Sequence, residues 1–237
     1  MSSATVLDAS FSYDVPTTKA IPPKENTDSL IWNTQRFGRE QVRSMVHQIF
    51  FPGGAKAPRQ VVFTGVDSGA NVAEICLQAG HALCAQISGS VCIVEMPPRP
   101  SLCEDGCGDQ QASFSEQFDC LRQSARALSK RLWRITPEIF LQNERELSVA
   151  WLRCRRDALR LDFDYTIFHA PPTGHSSDAA LLGHLCDGVV LVLTANSTRR
   201  VTARKVKESL GAANARLLGT VLSDRQFPIP EGIYKRL

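Results

Sequence analysis

Gly188-Val189-Val190-Leu191-Val192-Leu193-Thr194 is apolar at nearly every position, and Arg216-Leu217-Leu218-Gly219-Thr220-Val221-Leu222-Ser223 repeats the pattern after a helical stretch at 198–211. A strand with one face in water alternates apolar and polar side chains, whereas a strand covered on both faces reads as a continuous apolar run. Two such runs joined by a helix describe a β-α-β unit of a parallel sheet. The rest of the chain continues it. QVVFT at 60–64, VCIVEM at 91–96, RLWRI at 131–135 and YTIFHA at 165–170 are further short strands. Between them, 70–86, Ser113–Lys130 and 143–160 read as helices, the second with Phe114, Phe118, Leu121, Ala125 and Leu128 along one side. The predicted fold class is α/β: a three-layer sandwich with a mostly parallel central sheet.

Ahead of the first strand, EQVRSMVHQIF from Glu40 to Phe50 places Val42, Met45, Val46 and Ile49 on one helical face, and Pro52-Gly53-Gly54 ends it. Residues 1–35, with Pro16, Pro22 and Pro23 among Ser, Thr and Lys, read as a flexible N-terminal arm, leaving 36–237 as the α/β domain. The 237 residues, 43% hydrophobic and 22% charged, have ordinary globular composition. No apolar run approaches the roughly 20 residues a spanning helix needs, and the opening MSSATVLDAS has neither the basic start nor the apolar stretch of a secretory signal. The expected location is the cytoplasm.

The net charge of +3 is unevenly divided. Nine basic and three acidic residues lie between Ala195 and Leu237, a local balance of +6 that leaves −3 for residues 1–194. A basic C-terminal quarter fits an acidic partner or a membrane surface, while the near-neutral total argues against nucleic acid. The eight cysteines sit mostly singly in apolar surroundings and read as small buried hydrophobes. Cys103 and Cys107 form a C-x3-C pair with no second pair at metal spacing.

Open α/β sheets bind ligands beyond the carboxyl ends of their strands. The segments there are Thr64–Asn71, Glu95–Pro100 and His169-Ala170-Pro171-Pro172. Gly65 and Gly69, between a strand and a helix, leave room for a loop whose amides cradle an anion. By itself that spacing is common in turns.

FDYTIFHAPP at 163–172, SDAALLGHLCDGVVLVLTANSTRR at 177–200 and ARLLGTVLSDR at 215–225 together resemble the CpsD/CapB-type bacterial tyrosine kinases, relatives of the MinD/ParA P-loop ATPases. Glu40 and Arg43 before the first strand and PRPSL at 98–102 extend the resemblance over roughly 36–225. It implies a P-loop NTPase-like sandwich and a nucleotide site. The family loop, approximately E-P-G-E-G-K-S/T, falls on Asp67-Ser68-Gly69-Ala70-Asn71-Val72-Ala73, so the phosphate-binding lysine is Val72 and the magnesium-holding hydroxyl is Ala73. Of the acidic pattern after the second strand only Glu95 is kept. The Walker B-like aspartate becomes His169, and the asparagine that meets adenine becomes Ser223. Phosphoryl transfer depends on cations that neutralise the developing charge, and those are the residues replaced.

The resemblance therefore implies a degenerate member: a non-catalytic regulatory or scaffolding protein of bacterial exopolysaccharide synthesis and export, with no cofactor. The relatives bind the cytoplasmic tail of a membrane polysaccharide copolymerase and assemble through a helix carrying E-x-x-R. Here that motif is Glu40 and Arg43, but the next family arginine is Val46, which weakens the expectation of self-association. Arg199 and Arg200 are further interaction candidates. Two other function classes stand beside this one. One is a nucleotide-binding protein or weak kinase/ATPase with an atypical loop; the other is a MinD/ParA-like positioning factor that uses the basic quarter. A metal site from Glu95, His169, His175 and His184 is weighed against histidines hydrogen-bonded at strand and helix ends, and the latter is the simpler reading.

Overall fold

A computed structural model describes residues 34–53, 57–96, 121–141, 148–174 and 176–224. Helix α1 spans Thr34–Phe50, beginning earlier than its amphipathic pattern predicts, and buries Val46, Ile49 and Phe50. It stops where Phe51 N closes onto His47 O (2.9 Å) and Pro52 and the left-handed Gly53 (φ 66°) follow. Strand β1 (Gln60–Gly65), helix α2 (Val72–Gln86) and strand β2 (Val91–Glu95) come next. A short helix α3 (Leu121–Ser124) leads to strands β3 (Arg126–Ala127) and β4 (Leu132–Ile135). The remainder is α4 (Pro137–Leu141), α5 (Val149–Asp162), β5 (Tyr165–His169), α6 (Asp178–Leu185), β6 (Gly188–Thr194), α7 (Arg200–Ala212) and β7 (Leu217–Ser223).

The seven strands form one sheet in the order β3-β4-β2-β5-β1-β6-β7, and every pairing is parallel except that of β3 with β4. Alternate residues of each central strand enter two separate cores. Val61, Phe63, Val91, Ile93, Ile167, Val190 and Val192 pack with α1 and α2. Val62, Cys92, Val94, Phe168, Val189 and Leu191 pack with α4, α5, α6 and α7. Burial on both faces is why these strands carry no polar alternation, and the α/β three-layer sandwich expected from the sequence is present.

The helix expected over Ser113–Lys130 is corrected in its described part. Leu121 is buried at the start of a single turn, and the chain then reverses. Leu128 N and Ser129 N both donate to Leu132 O, and Arg126 pairs with Arg134 as a short antiparallel edge. The 143–160 helix begins at Val149, its N-terminus capped by Ser148 Oγ accepting from Trp151 N (3.2 Å). Residues 1–33, 97–120, 142–147 and 225–237, and with them the expected arm and the end of the predicted domain, lie outside the described residues. Residues 41–226 form one compact unit.

Beyond the carboxyl end of β1 the chain turns to α2 on one face, while from the adjacent β5 it turns to α6 on the other. Connections that part in this way open a crevice between neighbouring strands, the usual ligand position of such sheets.

Candidate functional site

The crevice is bordered by the loop after β1, the loop after β5 and the turn between β6 and α7. Gly65 begins the first. A Cβ there would lie 2.9 Å from the Asp67 carbonyl oxygen and 3.2 Å from the Ala70 Cβ, so the loop folds back over a position only glycine fills without displacing backbone. Two loops are then tied together. Thr173 donates to Gly65 O from both N (3.0 Å) and Oγ1 (3.1 Å), Gly174 N donates to Val66 O (3.2 Å), and Thr64 Oγ1 donates to Pro171 O (2.8 Å).

Two side chains of the loop turn back onto its own neighbourhood. Asp67 Oδ1 accepts from Gly69 N (3.2 Å), and Asp67 Oδ2 accepts from Thr198 Oγ1 (3.0 Å), which itself accepts from Thr194 N (2.9 Å). Asn71 caps α2, its Oδ1 accepting from Glu74 N (3.3 Å). An anion bound at a helix N-terminus uses such amides. Here a carboxylate and a carboxamide of the loop take two of them. Val72 is buried among the α1 and α2 core residues and Ala73 is exposed. Among the described residues no lysine or arginine hydrogen-bonds into this loop. A carboxylate at the loop amides, an aliphatic side chain turned into the core and a methyl in place of a hydroxyl do not suit a triphosphate with Mg²⁺.

Two strands away, Glu95 at the end of β2 ion-pairs with Arg134 of β4 (2.6 Å) and lies in register with His169 of β5. Burial holds the His169 imidazole below its ordinary value, with the Glu95 carboxylate pulling upward and the Arg134 guanidinium downward. Glu95 is thus engaged by a cation of the chain itself. Arg134 was not legible as a site residue, since it reads only as part of RLWRI. Thr198 was missed for the same reason: its partner Asp67 is 131 residues away.

Ser223 is not brought to this cluster. It ends β7 at the sheet margin, beyond β6, where its hydroxyl bonds Leu193 O (3.3 Å) and Asp224 Oδ2 (3.1 Å). Arg199 and Arg200 are exposed at the start of α7, and Glu40 and Arg43 are exposed on α1. His184 is exposed near the end of α6 and His175 lies outside the described residues; no group of three metal-ligating side chains gathers among the described residues. Cys76, Cys84 and Cys92 are buried, and burial raises their thiols; Cys186 is pushed up to about 12 by the same cause. Thiols so disfavoured as thiolates act as packing groups. Cys103 and Cys107 lie outside the described residues. An open depression of about 540 Å³, lined by Arg59, Ile87, Gly89, Asp164 and Tyr165, lies at the amino-terminal end of the strands, opposite the Asp67 loop. No helix among the described residues is long and apolar enough to cross a membrane.

No family model matches the chain. Over 81 residues it is 32% identical to the tyrosine-protein kinase YwqD of Bacillus subtilis, covering 34% of either chain. Over 87 residues it is 33% identical to the tyrosine-protein kinase CpsD of Streptococcus agalactiae, covering 37% of this chain and 35% of that one. The chain spans about a third of the length of the curated relatives it matches. Among solved structures, the VpsO kinase domain superposes with a TM-score of 0.59 at 18% identity over 81% of this chain and 98% of that one. The kinase domain of the Escherichia coli tyrosine kinase ETK gives 0.58 at 17% over 81% and 79%, and the MinD cell division protein of Aquifex aeolicus gives 0.51 at 14% over 75% and 72%. At the family level the chain is similar to bacterial tyrosine-protein kinases, and its fold is the P-loop NTPase-like sandwich of those structures.

Proposed function

We propose that this chain keeps the scaffold of a bacterial tyrosine kinase without the phosphoryl transfer, and acts as a regulatory or scaffolding protein of exopolysaccharide synthesis and export. One observation carries the first half: the Asp67 carboxylate occupies the Gly69 amide and the Thr198 hydroxyl at the loop where a nucleotide's phosphates would sit. A second anion there meets like charge and finds the Gly69 amide already used. With Val72 and Ala73 in place of a lysine and a hydroxyl residue, the loop offers neither of the positive charges that phosphoryl transfer needs. Glu95, the acid retained from the family pattern, is paired with Arg134. The sheet is maintained by burial on both faces, which does not depend on those loop side chains.

The second half rests on the likeness to the tyrosine kinases over a third of the chain and on the partners that the resemblance implies. The partner is the cytoplasmic tail of a membrane polysaccharide copolymerase, with Glu40, Arg43, Arg199 and Arg200 as exposed candidates for contact. Two measurements test the reading. Incubation with labelled Mg·ATP is expected to give neither hydrolysis nor phosphotyrosine, and a pull-down is expected to retain the copolymerase tail. Turnover at ordinary kinase rates overturns the non-catalytic assignment; failure to retain the tail overturns the scaffolding one.

A further inference from the structure

Helix α7 starts at the same end of the sheet as the Asp67 loop, to which Thr198 joins it. It is introduced by Arg199 and continues through Arg200, Arg204, Lys205 and Lys207, all exposed, against the single acid Glu208. None of these five cations makes an ion pair among the described residues. Helix stability does not account for them. The amino end of a helix is the positive end of its dipole, where acids are favoured and cations are not, and Arg199 at the N-cap makes no side-chain capping bond.

The inward side of α7 is apolar and engaged. Val206 and Leu210 are buried, and with Ser209 they face α6 across a small cavity of about 170 Å³. On the outward side Val201 is 66% exposed, with Arg204 and Lys205 three and four residues on along the same face and Arg200 just before it. A second aliphatic, Leu222 (56% exposed), lies at the end of β7 in register with Leu193, which packs into the core on the α7 side. Bare aliphatic side chains among unpaired cations are the composition of surfaces that rest in a lipid headgroup region, where the cations meet anionic headgroups and the aliphatic groups enter the acyl boundary. A single-stranded nucleic acid would call instead for aromatic stacking groups, and α7 has none.

We propose that the first two turns of α7, with Leu222 at the same end and on the same side of the sheet, form a surface that binds an anionic lipid bilayer directly. Arg199, Arg200, Arg204 and Lys205 supply the charge, and Val201 supplies the apolar contact. The test is flotation of the full chain with phosphatidylcholine vesicles prepared with and without phosphatidylglycerol. The chain is expected to float only with the anionic vesicles and to be released by high salt. The triple variant Arg200→Gln/Arg204→Gln/Lys205→Gln is expected to lose about a hundredfold in partitioning, and Val201→Ser about fivefold. Unchanged unfolding midpoints show that both remain folded. Failure to float with phosphatidylglycerol at low salt overturns the proposal. So does flotation of the folded triple variant equal to that of the parent. Tighter binding to duplex DNA or polyglutamate than to the vesicles, through the same three residues, overturns it in favour of a macromolecular polyanion.

Discussion

A lysine at position 72 would begin from a Cα whose side chain now lies in the core formed by α1, α2 and one face of the sheet. The Val72→Lys variant is expected to lose about 3 kcal/mol of stability or more, because it carries an unpaired ammonium from a buried site, and to gain no affinity for Mg·ATP. Chemical denaturation and a nucleotide titration check the two parts. The Asp67–Thr198 bond is the other decisive contact at this scale. Thr198→Val removes one donor to a carboxylate and is expected to cost about 1–2 kcal/mol. A double-mutant cycle with Asp67→Asn should return a coupling of about 1 kcal/mol; additivity of the two changes would show that the contact does not hold the loop. His169 supplies a pH dependence. Its folded imidazole is held below the ordinary value of 6.5, so the unfolded chain binds the proton first as pH falls. Between the unfolded and folded values the unfolded state carries more protons, and stability therefore drops as pH falls through that window and is level above it. His169→Gln should abolish this slope in the denaturation midpoint.

Among elements, the tie between β1 and β6 is a carboxylate rather than a ladder bond alone. Asp187 Oδ2 accepts from Arg59 N (2.8 Å) and Gln60 N (2.9 Å), and Arg160 Nη2 lies 3.2 Å away. Asp187→Ala strands two amides at the start of a buried strand and is expected to cost about 2–3 kcal/mol, read from the urea midpoint. Its place just before a buried strand gives Asp187 the role of a capping carboxylate. Six of the seven strands, all but β3, were legible to within about a residue at either end because continuous apolar runs have few other meanings in a chain of this composition. Amphipathic spacing was a weaker guide. Leu121, Ala125 and Leu128 fit a helix by their intervals, yet the backbone amides of Leu128 and Ser129 find Leu132 O instead and make an edge hairpin. The site was legible where it is contiguous: residues 65–73 could be read as the glycine-containing connection from β1 into α2. Arg134 and Thr198 could not, since each joins the site through a contact between elements distant in sequence, Glu95 with Arg134 and Asp67 with Thr198.

At the scale of the molecule, a sheet covered on both faces carries the crevice loops at its carboxyl edge, and several side chains there pair with one another. Asp67 is bound by Gly69 and Thr198, Glu95 by Arg134, and the amino end of α2 by Asn71. Five cations at the start of α7 and along it make no ion pair among the described residues, within a C-terminal quarter of +6 against −3 for the rest. Fold and charge together set the internal pairs of the Asp67 loop and Glu95 beside exposed cations on α7 that make no ion pair among the described residues. The most direct test of that description is calorimetric titration of the full chain with ATP and with ADP, each with and without Mg²⁺. The account predicts no magnesium-dependent binding of either nucleotide. Stoichiometric, magnesium-dependent binding of ATP would contradict it.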